Sequence, residues 1–111
     1  MAEQNKEYEI LKLRALLNGA KIPHTFNDDF FHGYCKPSYQ IIVFDKNKQK
    51  LCDAIYHFGC YGYEQGLLEI MGGLTPKERE NDNVLGHLTA DEVFKRFKYC
   101  YEHSTDLYKE D

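Results

Sequence analysis

Tyr39-Gln-Ile-Ile-Val-Phe44 is a run of β-branched and aromatic residues, and the turn-forming break Asp45-Lys-Asn-Lys48 follows it. A second apolar run extends from Leu51 to Phe58. Two apolar runs joined by a short polar break are typical of a β-hairpin. This stretch therefore predicts the centre of an antiparallel sheet, around which the rest of the chain is arranged.

The predicted hairpin lacks the alternation of apolar and polar side chains that a sheet with one solvent-facing side shows. Both alternating sets of residues 39–44 are largely apolar, and so is one set of residues 51–58. We therefore expect both faces of the sheet to be covered, one by helices and the other by a loop or a second copy of the chain. A homo-oligomer is the prediction, because a monomer rarely exposes an apolar patch beyond a few hundred Å².

Helices are predicted on either side of this stretch. Residues 3–18 carry one apolar stripe at helical spacing, and Gly19 stands where a glycine would end the helix. Later in the chain, Thr89-Ala-Asp-Glu92 is a capping box that opens a second long helix. Thr75-Pro-Lys-Glu78 is a similar start for a brief helix.

Two shorter segments, 24–26 and 66–71, are expected to extend the sheet. Residues 84–88 are expected to form either a linker or an edge strand. Together these elements predict one α+β domain over residues 1–111. We expect an antiparallel sheet of three to four strands, with the N-terminal and C-terminal helices packed on it. A polar tail that frays is expected from about residue 105.

Composition excludes some classes of function. The chain has 14 basic and 18 acidic residues and a net charge of -4, which argues against a surface for duplex nucleic acid. No apolar run approaches the roughly 20 residues of a membrane-spanning helix. The first nine residues are polar and acidic, so no signal peptide is predicted and the protein is expected in the cytoplasm.

No metal, cofactor or catalytic machinery is predicted. The four cysteines form no C-x-x-C pair. His32 and Cys35 are three residues apart, but they offer only two of the four ligands that a structural zinc site needs. The sequence also lacks G-x-S-x-G and H-E-x-x-H, so we expect a protein that is not an enzyme.

The segment His57–Gly66 is the strongest candidate for a binding site. Its glycines permit positive φ and a close approach of the backbone to a ligand. Tyr61 or Tyr63 would stack on a base, Glu64 would bind ribose hydroxyls, and His57 would face a phosphate. The alternative is a glycine-bulged strand crossing with its tyrosines in the core. Which tyrosine stacks stays open, because a shift of one residue exchanges the faces of a strand.

A second aromatic loop precedes the hairpin and is expected to help. Residues 30–36 include His32, Tyr34 and Lys36, and Lys36 would face the phosphate together with His57. Aromatic residues in a loop of this length either anchor it to the core or line a site. We predict a small anionic, base-containing ligand held by both loops.

Three segments resemble short accessory proteins encoded by phages and prophages of Gram-positive bacteria. They are the run from Leu67 to Phe94, which begins Leu-Leu-Glu-Ile-Met-Gly-Gly-Leu-Thr-Pro, the opening Leu16-Leu-Asn-Gly-Ala-Lys-Ile-Pro-His24, and Tyr61-Gly-Tyr-Glu64. The resemblance spans most of the chain and contains no assigned motif. It implies a phage accessory protein that acts in the bacterial cytoplasm.

Small phage accessory proteins often counter host defence, and two classes of function compete here, beside a third reading as a small structural or regulatory module with no ligand. One is a sponge that sequesters a nucleotide-derived immune signal, such as the cyclic ADP-ribose-like messengers of Thoeris systems. The other is an inhibitor of the anti-CRISPR type, which occupies a host nuclease through protein–protein contact. The inhibitor would need a strongly acidic face, and the net charge of -4 is mild. The aromatic, glycine-rich loop favours the sponge.

Overall fold

The computed structural model describes residues 7–28, 38–57 and 60–109. They form helices and strands in the order α1 (Tyr8–Gly19), β1 (His24–Asn27), β2 (Ser38–Phe44), β3 (Lys50–His57), β4 (Leu68–Met71), α2 (Pro76–Asn81), β5 (Val84–Leu88) and α3 (Ala90–His103). A 3₁₀ turn, Tyr63–Gln65, lies between β3 and β4. The protein is therefore an α+β fold, as the sequence predicted.

The sheet is an antiparallel meander in which each strand pairs with its neighbours in the sequence. It has five strands, whereas the sequence predicted three to four. The additional strand is β5, which the sequence left open as a linker or an edge strand because a Gly-His pair interrupts its apolar pattern. Both β1 and β5 are edge strands, and each is fixed by pairing with an inner neighbour, β1 with β2 and β5 with β4.

The N-terminal helix ends differently from the prediction. Gly19 is the last helical residue, and the chain turns at Lys21, whose φ is 59°. Lys21 N–H donates to the Asn18 carbonyl at 3.1 Å, and Ile22 N–H donates to the Leu17 carbonyl at 3.0 Å. These two hydrogen bonds form a Schellman motif with lysine, not glycine, at its left-handed position. Residues 3–6 of the predicted helix lie outside the described residues.

Both predicted capping boxes are confirmed. The Thr75 hydroxyl accepts from Glu78 N–H at 3.2 Å, and the Glu78 carboxylate accepts from Thr75 N–H at 2.8 Å. Thr89 and Glu92 make the same reciprocal pair at the start of α3. These local signals set the starts of α2 and α3, because each satisfies backbone N–H groups that have no partner within the helix.

One buried cluster joins α1, α3 and one face of the sheet. Its fully buried side chains alternate along the strands and recur at helical spacing on the two helices: Ile10, Leu13, Leu17, Ile41, Val43, Ala54, Tyr56, Leu68, Ile70, Val93 and Phe97. The alternation follows the strand register, in which Ile41 opposes Ala54 and Ala54 opposes Ile70. The α3 helix therefore packs on the sheet, as the sequence predicted.

The opposite face of the sheet mixes polar and apolar side chains. Gln40 donates from Nε2 to Asp53 Oδ2 at 3.1 Å, and Lys50 Nζ lies 3.3 Å from Asp53 Oδ1. Ile42 is half-buried on this face, whereas Met71 is 50% exposed. The expected cover by a second copy of the chain stays a prediction.

The C-terminal segment is anchored at least as far as Tyr108. Leu107 forms an isolated parallel bridge with Leu74, and Tyr108 N–H donates to the Leu74 carbonyl at 2.8 Å. Tyr108 is buried, and its ring meets Tyr99 edge-on at 5.5 Å. The described part of the polar tail is thus held against the domain by backbone hydrogen bonds and by the buried Tyr108 ring. No helix in the described part of the chain has the length and apolar character needed to cross a membrane.

Candidate functional site

The segment that follows β3 folds into a compact turn held by its own backbone. Cys60 N–H donates to the His57 carbonyl at 3.0 Å, and Leu67 N–H donates to the Gly62 carbonyl at 2.9 Å. Gly62 has a φ of 100° and Gly66 a φ of 75°, so both lie in the region that favours glycine. The prediction that these glycines serve an unusual backbone conformation is consistent with this geometry.

The two tyrosines of the turn occupy different environments. The Tyr63 ring stacks on Tyr56 with centroids 5.2 Å apart, and the Tyr56 hydroxyl donates to the Tyr63 carbonyl at 3.1 Å. Burial raises the pKa of Tyr56 to about 12, so its hydroxyl stays a donor at neutral pH. Tyr63 is therefore packed against the core, whereas Tyr61 is 57% exposed.

The exposed Tyr61 is nevertheless held at a fixed backbone position. Its N–H donates to Glu69 Oε1 at 2.9 Å, and its carbonyl accepts from His87 N–H at 3.2 Å. A Cβ added at Gly86 would lie 2.2 Å from the Cβ of Tyr61. Glycine at position 86 thus permits the loop to lie directly against β5.

His87 is a residue of the site that the sequence reasoning missed. Its φ is 60°, which is uncommon for a residue with a Cβ and is found more often at functional sites. Its side chain is exposed on the same cleft as Tyr61. The signal that would have pointed to it is the Gly86-His87 pair within an apolar strand, since glycine inside a strand marks a bulge or a close backbone approach.

These residues line a cleft of about 440 Å³, which we call the loop cleft: Cys60, Tyr61, Gly62, Tyr63, Glu64, Gln65 and His87. Its volume lies within the roughly 300–1,000 Å³ of small-molecule sites. Tyr61, Tyr63 and Glu64 were predicted as site residues, and the structure brings all three together. Glu64 is exposed at the cleft, where its carboxylate is accessible to hydroxyl donors.

The other predicted site residues are not part of this lining. His57 is half-buried at the end of β3, opposite Ser38 of β2, and it does not line the loop cleft. His32, Tyr34 and Lys36 lie outside the described residues. The predicted contribution of the 30–36 loop therefore stays a prediction.

The electrostatics of the described loop cleft are mildly acidic. Glu64 lines it, and the Glu69 carboxylate lies behind the Tyr61 N–H. The described lining contains no lysine or arginine, so His87 is its one basic side chain.

Nucleophilic chemistry has little support from the cysteine in the cleft. Cys60 is buried, and this burial raises the pKa of its thiol, which keeps it protonated at neutral pH. Because the thiolate is the reactive form, a raised pKa disfavours attack on a substrate. Among the described residues, no group of three or more His, Cys, Asp or Glu side chains is arranged to hold a metal ion.

In comparisons with protein families, curated proteins and solved structures, the chain finds no match.

Proposed function

We propose that the protein is a non-catalytic binding protein that sequesters a small, nucleotide-derived molecule in the loop cleft. The observation that carries this proposal is the exposed ring of Tyr61 beside a cleft of ligand size. A base stacked on an aromatic ring contributes about 1–3 kcal/mol in single-strand binders. Because the Tyr61 backbone is hydrogen-bonded on both sides, only its side chain would have to be ordered when the ligand binds.

The remaining lining residues suit the rest of a nucleotide. Glu64 is placed to accept hydrogen bonds from ribose hydroxyls, and the Gln65 amide can both donate and accept. The His87 ring can donate a hydrogen bond to a phosphate oxygen. The left-handed backbone of Gly62 packs against Leu67 and the His87 backbone, which holds the turn and His87 together at the cleft.

The biological role that we propose is counter-defence by a phage. It rests on the resemblance of Leu16–His24, Tyr61–Glu64 and Leu67–Phe94 to phage accessory proteins, together with the ligand chemistry of the loop cleft. In this role the protein would remove a nucleotide-derived immune signal from the host cytoplasm. Tight binding without turnover is what such a sponge requires, and the protonated Cys60 thiol is compatible with it.

Calorimetric titration with cyclic ADP-ribose isomers and cyclic dinucleotides tests the binding. We expect one of these molecules to bind the wild-type protein and Tyr61→Ala to weaken this binding about 5- to 150-fold, which corresponds to the loss of one stacking contact. Tyr8→Ala is the matched control, because Tyr8 is 53% exposed and does not line the loop cleft. Its affinity should equal that of the wild type.

Two results would contradict the proposal in different ways. If the ligand binds equally well to Tyr61→Ala and to the wild type, the loop cleft is not its site. If none of the molecules binds and the protein still protects phage from a defence system, the sponge is wrong. The protein inhibitor of a host nuclease then takes its place.

A further inference from the structure

Four hydrogen bonds hold the exposed turn between β2 and β3. Asp45 N–H donates to the Gln49 carbonyl at 2.8 Å, and Lys48 N–H donates to the Asp45 carbonyl at 3.0 Å. Asp45 Oδ1 also accepts from Asn47 N–H at 2.8 Å and from Gln49 N–H at 2.9 Å. The Asp45 carboxylate thus stabilises the turn by accepting hydrogen bonds from two of its backbone N–H groups.

Lys48 occupies the position in this turn where glycine or asparagine is favoured. Its φ is 66°, in the left-handed region, where a residue with a Cβ is less stable than glycine. A lysine in this position places an ammonium group at the tip of the hairpin. Its backbone conformation is less stable there than that of a glycine. Unfavourable backbone conformations of this kind cluster at binding sites.

A cleft of about 570 Å³, which we call the hairpin cleft, lies between this turn, the start of β1 and the end of α3. Phe44 and Tyr101 provide aromatic walls, and His24, Lys46 and Lys48 line it together with Asp45. Phe44 and Tyr101 are both half-buried, so part of each ring faces the cleft.

Two lysines and one carboxylate, that of Asp45, line this cleft, so the lysines leave it with a net positive charge. Among the described residues, neither Lys46 nor Lys48 forms an ion pair, and the contact found for Lys46 is with the Tyr101 ring, 5.8 Å from its centroid. The carboxylate of Asp45 is held by two backbone N–H groups. In a chain of net charge -4, two unpaired ammonium groups therefore stand beside exposed aromatic surface.

We propose that the hairpin cleft is a second binding site, and that its ligand is a small phosphorylated aromatic molecule. The aromatic ring packs against Phe44 and Tyr101, and the phosphate lies between Lys46 and Lys48. This site is separate from the loop cleft. Phe44 pairs with Lys50 at one end of the hairpin, whereas the loop cleft follows His57 at the other end. The proposal holds whether or not the loop cleft binds a nucleotide.

Titration with three probes separates the parts of the proposed ligand. Phenyl phosphate carries both the ring and the anion, inorganic phosphate carries the anion alone, and phenol carries the ring alone. We expect phenyl phosphate to bind at least tenfold more tightly than either fragment. Equal affinity for phenyl phosphate and inorganic phosphate would overturn the aromatic part of the site, and no binding at millimolar concentration would overturn the site itself.

Lys48→Gly is the decisive variant. It removes the ammonium group, and it also removes the Cβ that makes the left-handed backbone unfavourable. Its melting temperature should be equal to or above that of the wild type, while phenyl phosphate binding weakens at least fivefold. Lys21→Gly is the matched control, with the same substitution at an exposed residue of φ 59° that does not line the hairpin cleft. Equal weakening in both variants would mean non-specific charge attraction and would overturn the proposal.

Amide chemical shifts in the wild-type protein locate the bound probe. Phenyl phosphate should shift the amides of His24 and of residues 44–48. Shifts confined to residues 60–65 would place it in the loop cleft. That result would overturn the second site while leaving the proposed function intact.

Discussion

Lys21 ends α1 through its own left-handed backbone, two residues beyond the glycine that the sequence pattern favoured. The hydrophobic contact of the Schellman motif explains why the chain turns at Lys21 and not at Gly19, since Leu17 and Ile22 are both buried. Burying this pair fixes the position at which the chain must turn, and a lysine is tolerated there. Gly19 is left within the helix, and a Cβ added to it would meet nothing within 4 Å.

Two substitutions test this helix end. Gly19→Ala should stabilise the protein by about 0.5–1 kcal/mol, because glycine is unfavourable inside a helix. Lys21→Gly should also stabilise it, by about 1 kcal/mol, because glycine adopts positive φ without a Cβ clash. Urea unfolding measures both free energies. Destabilisation by Gly19→Ala would mean that Gly19, not Lys21, has the left-handed backbone.

At the scale of elements, the start of α2 is joined to α3 by an ion pair. Arg96 of α3 donates from two nitrogens to the Glu78 carboxylate, at 2.8 and 3.1 Å, and also to the Gly73 carbonyl at 3.0 Å. The Arg96 hydrogen bond holds the pKa of the Glu78 carboxyl below its usual value, and the capping contacts with Thr75 act in the same direction. The capping box of α2 is thus also a tertiary contact.

The lowered pKa of Glu78 predicts a dependence of stability on acid pH. Because the folded protein favours the charged carboxylate, this stabilisation is complete above the unfolded-state pKa of about 4.3. It is lost as the pH falls through the lower folded-state pKa. The destabilisation caused by Glu78→Gln should therefore be large at pH 6 and shrink towards pH 3, as measured by urea unfolding.

Glu102→Gln is the control for this titration. Glu102 lies 3.2 Å from Lys98 in an exposed pair, and such pairs contribute little to stability. Its substitution should change the free energy of unfolding only slightly at every pH. A destabilisation by Glu78→Gln that is the same at pH 3 and pH 6 would show that the ion pair with Arg96 does not contribute.

The elements that could be predicted from sequence are those whose signals are local. The capping boxes at Thr75 and Thr89 and the hairpin around Asp45 each lie within a few residues, and the structure contains all three. The edge strand β5 depends on pairing with β4, which a short segment does not encode. Fold class therefore follows from the sequence, while strand number does not.

The same distinction applies to the candidate site. The positive φ of Gly62 and Gly66 was foreseeable, because glycine serves that conformation locally. The different environments of Tyr61 and Tyr63 could not be foreseen, since they depend on the stacking of Tyr63 against Tyr56. His87 enters the loop cleft only because β5 lies against the turn, which is a tertiary effect.

At the scale of the whole molecule, the second sheet face leads to a prediction about assembly. Met71 is 50% exposed on this face, with Ile42 half-buried. Gln40 donates to Asp53 Oδ2, whereas Asp53 Oδ1 is buried without a hydrogen-bond partner among the described residues and lies 3.3 Å from the Lys50 ammonium. The apolar surface around the exposed Met71 is therefore what a second copy would cover on this face.

We therefore expect light scattering at micromolar concentration to give at least twice the 13.1 kDa mass of one chain. Met71→Lys should return the mass to that of one chain, because it would bury an unpaired charge at the interface. Leu11→Lys is the control: Leu11 is a 39% exposed apolar residue of α1, and its substitution should leave the assembly intact. A wild-type mass of 13.1 kDa would refute the oligomer. Dissociation by Leu11→Lys alone would move the interface from the sheet to α1.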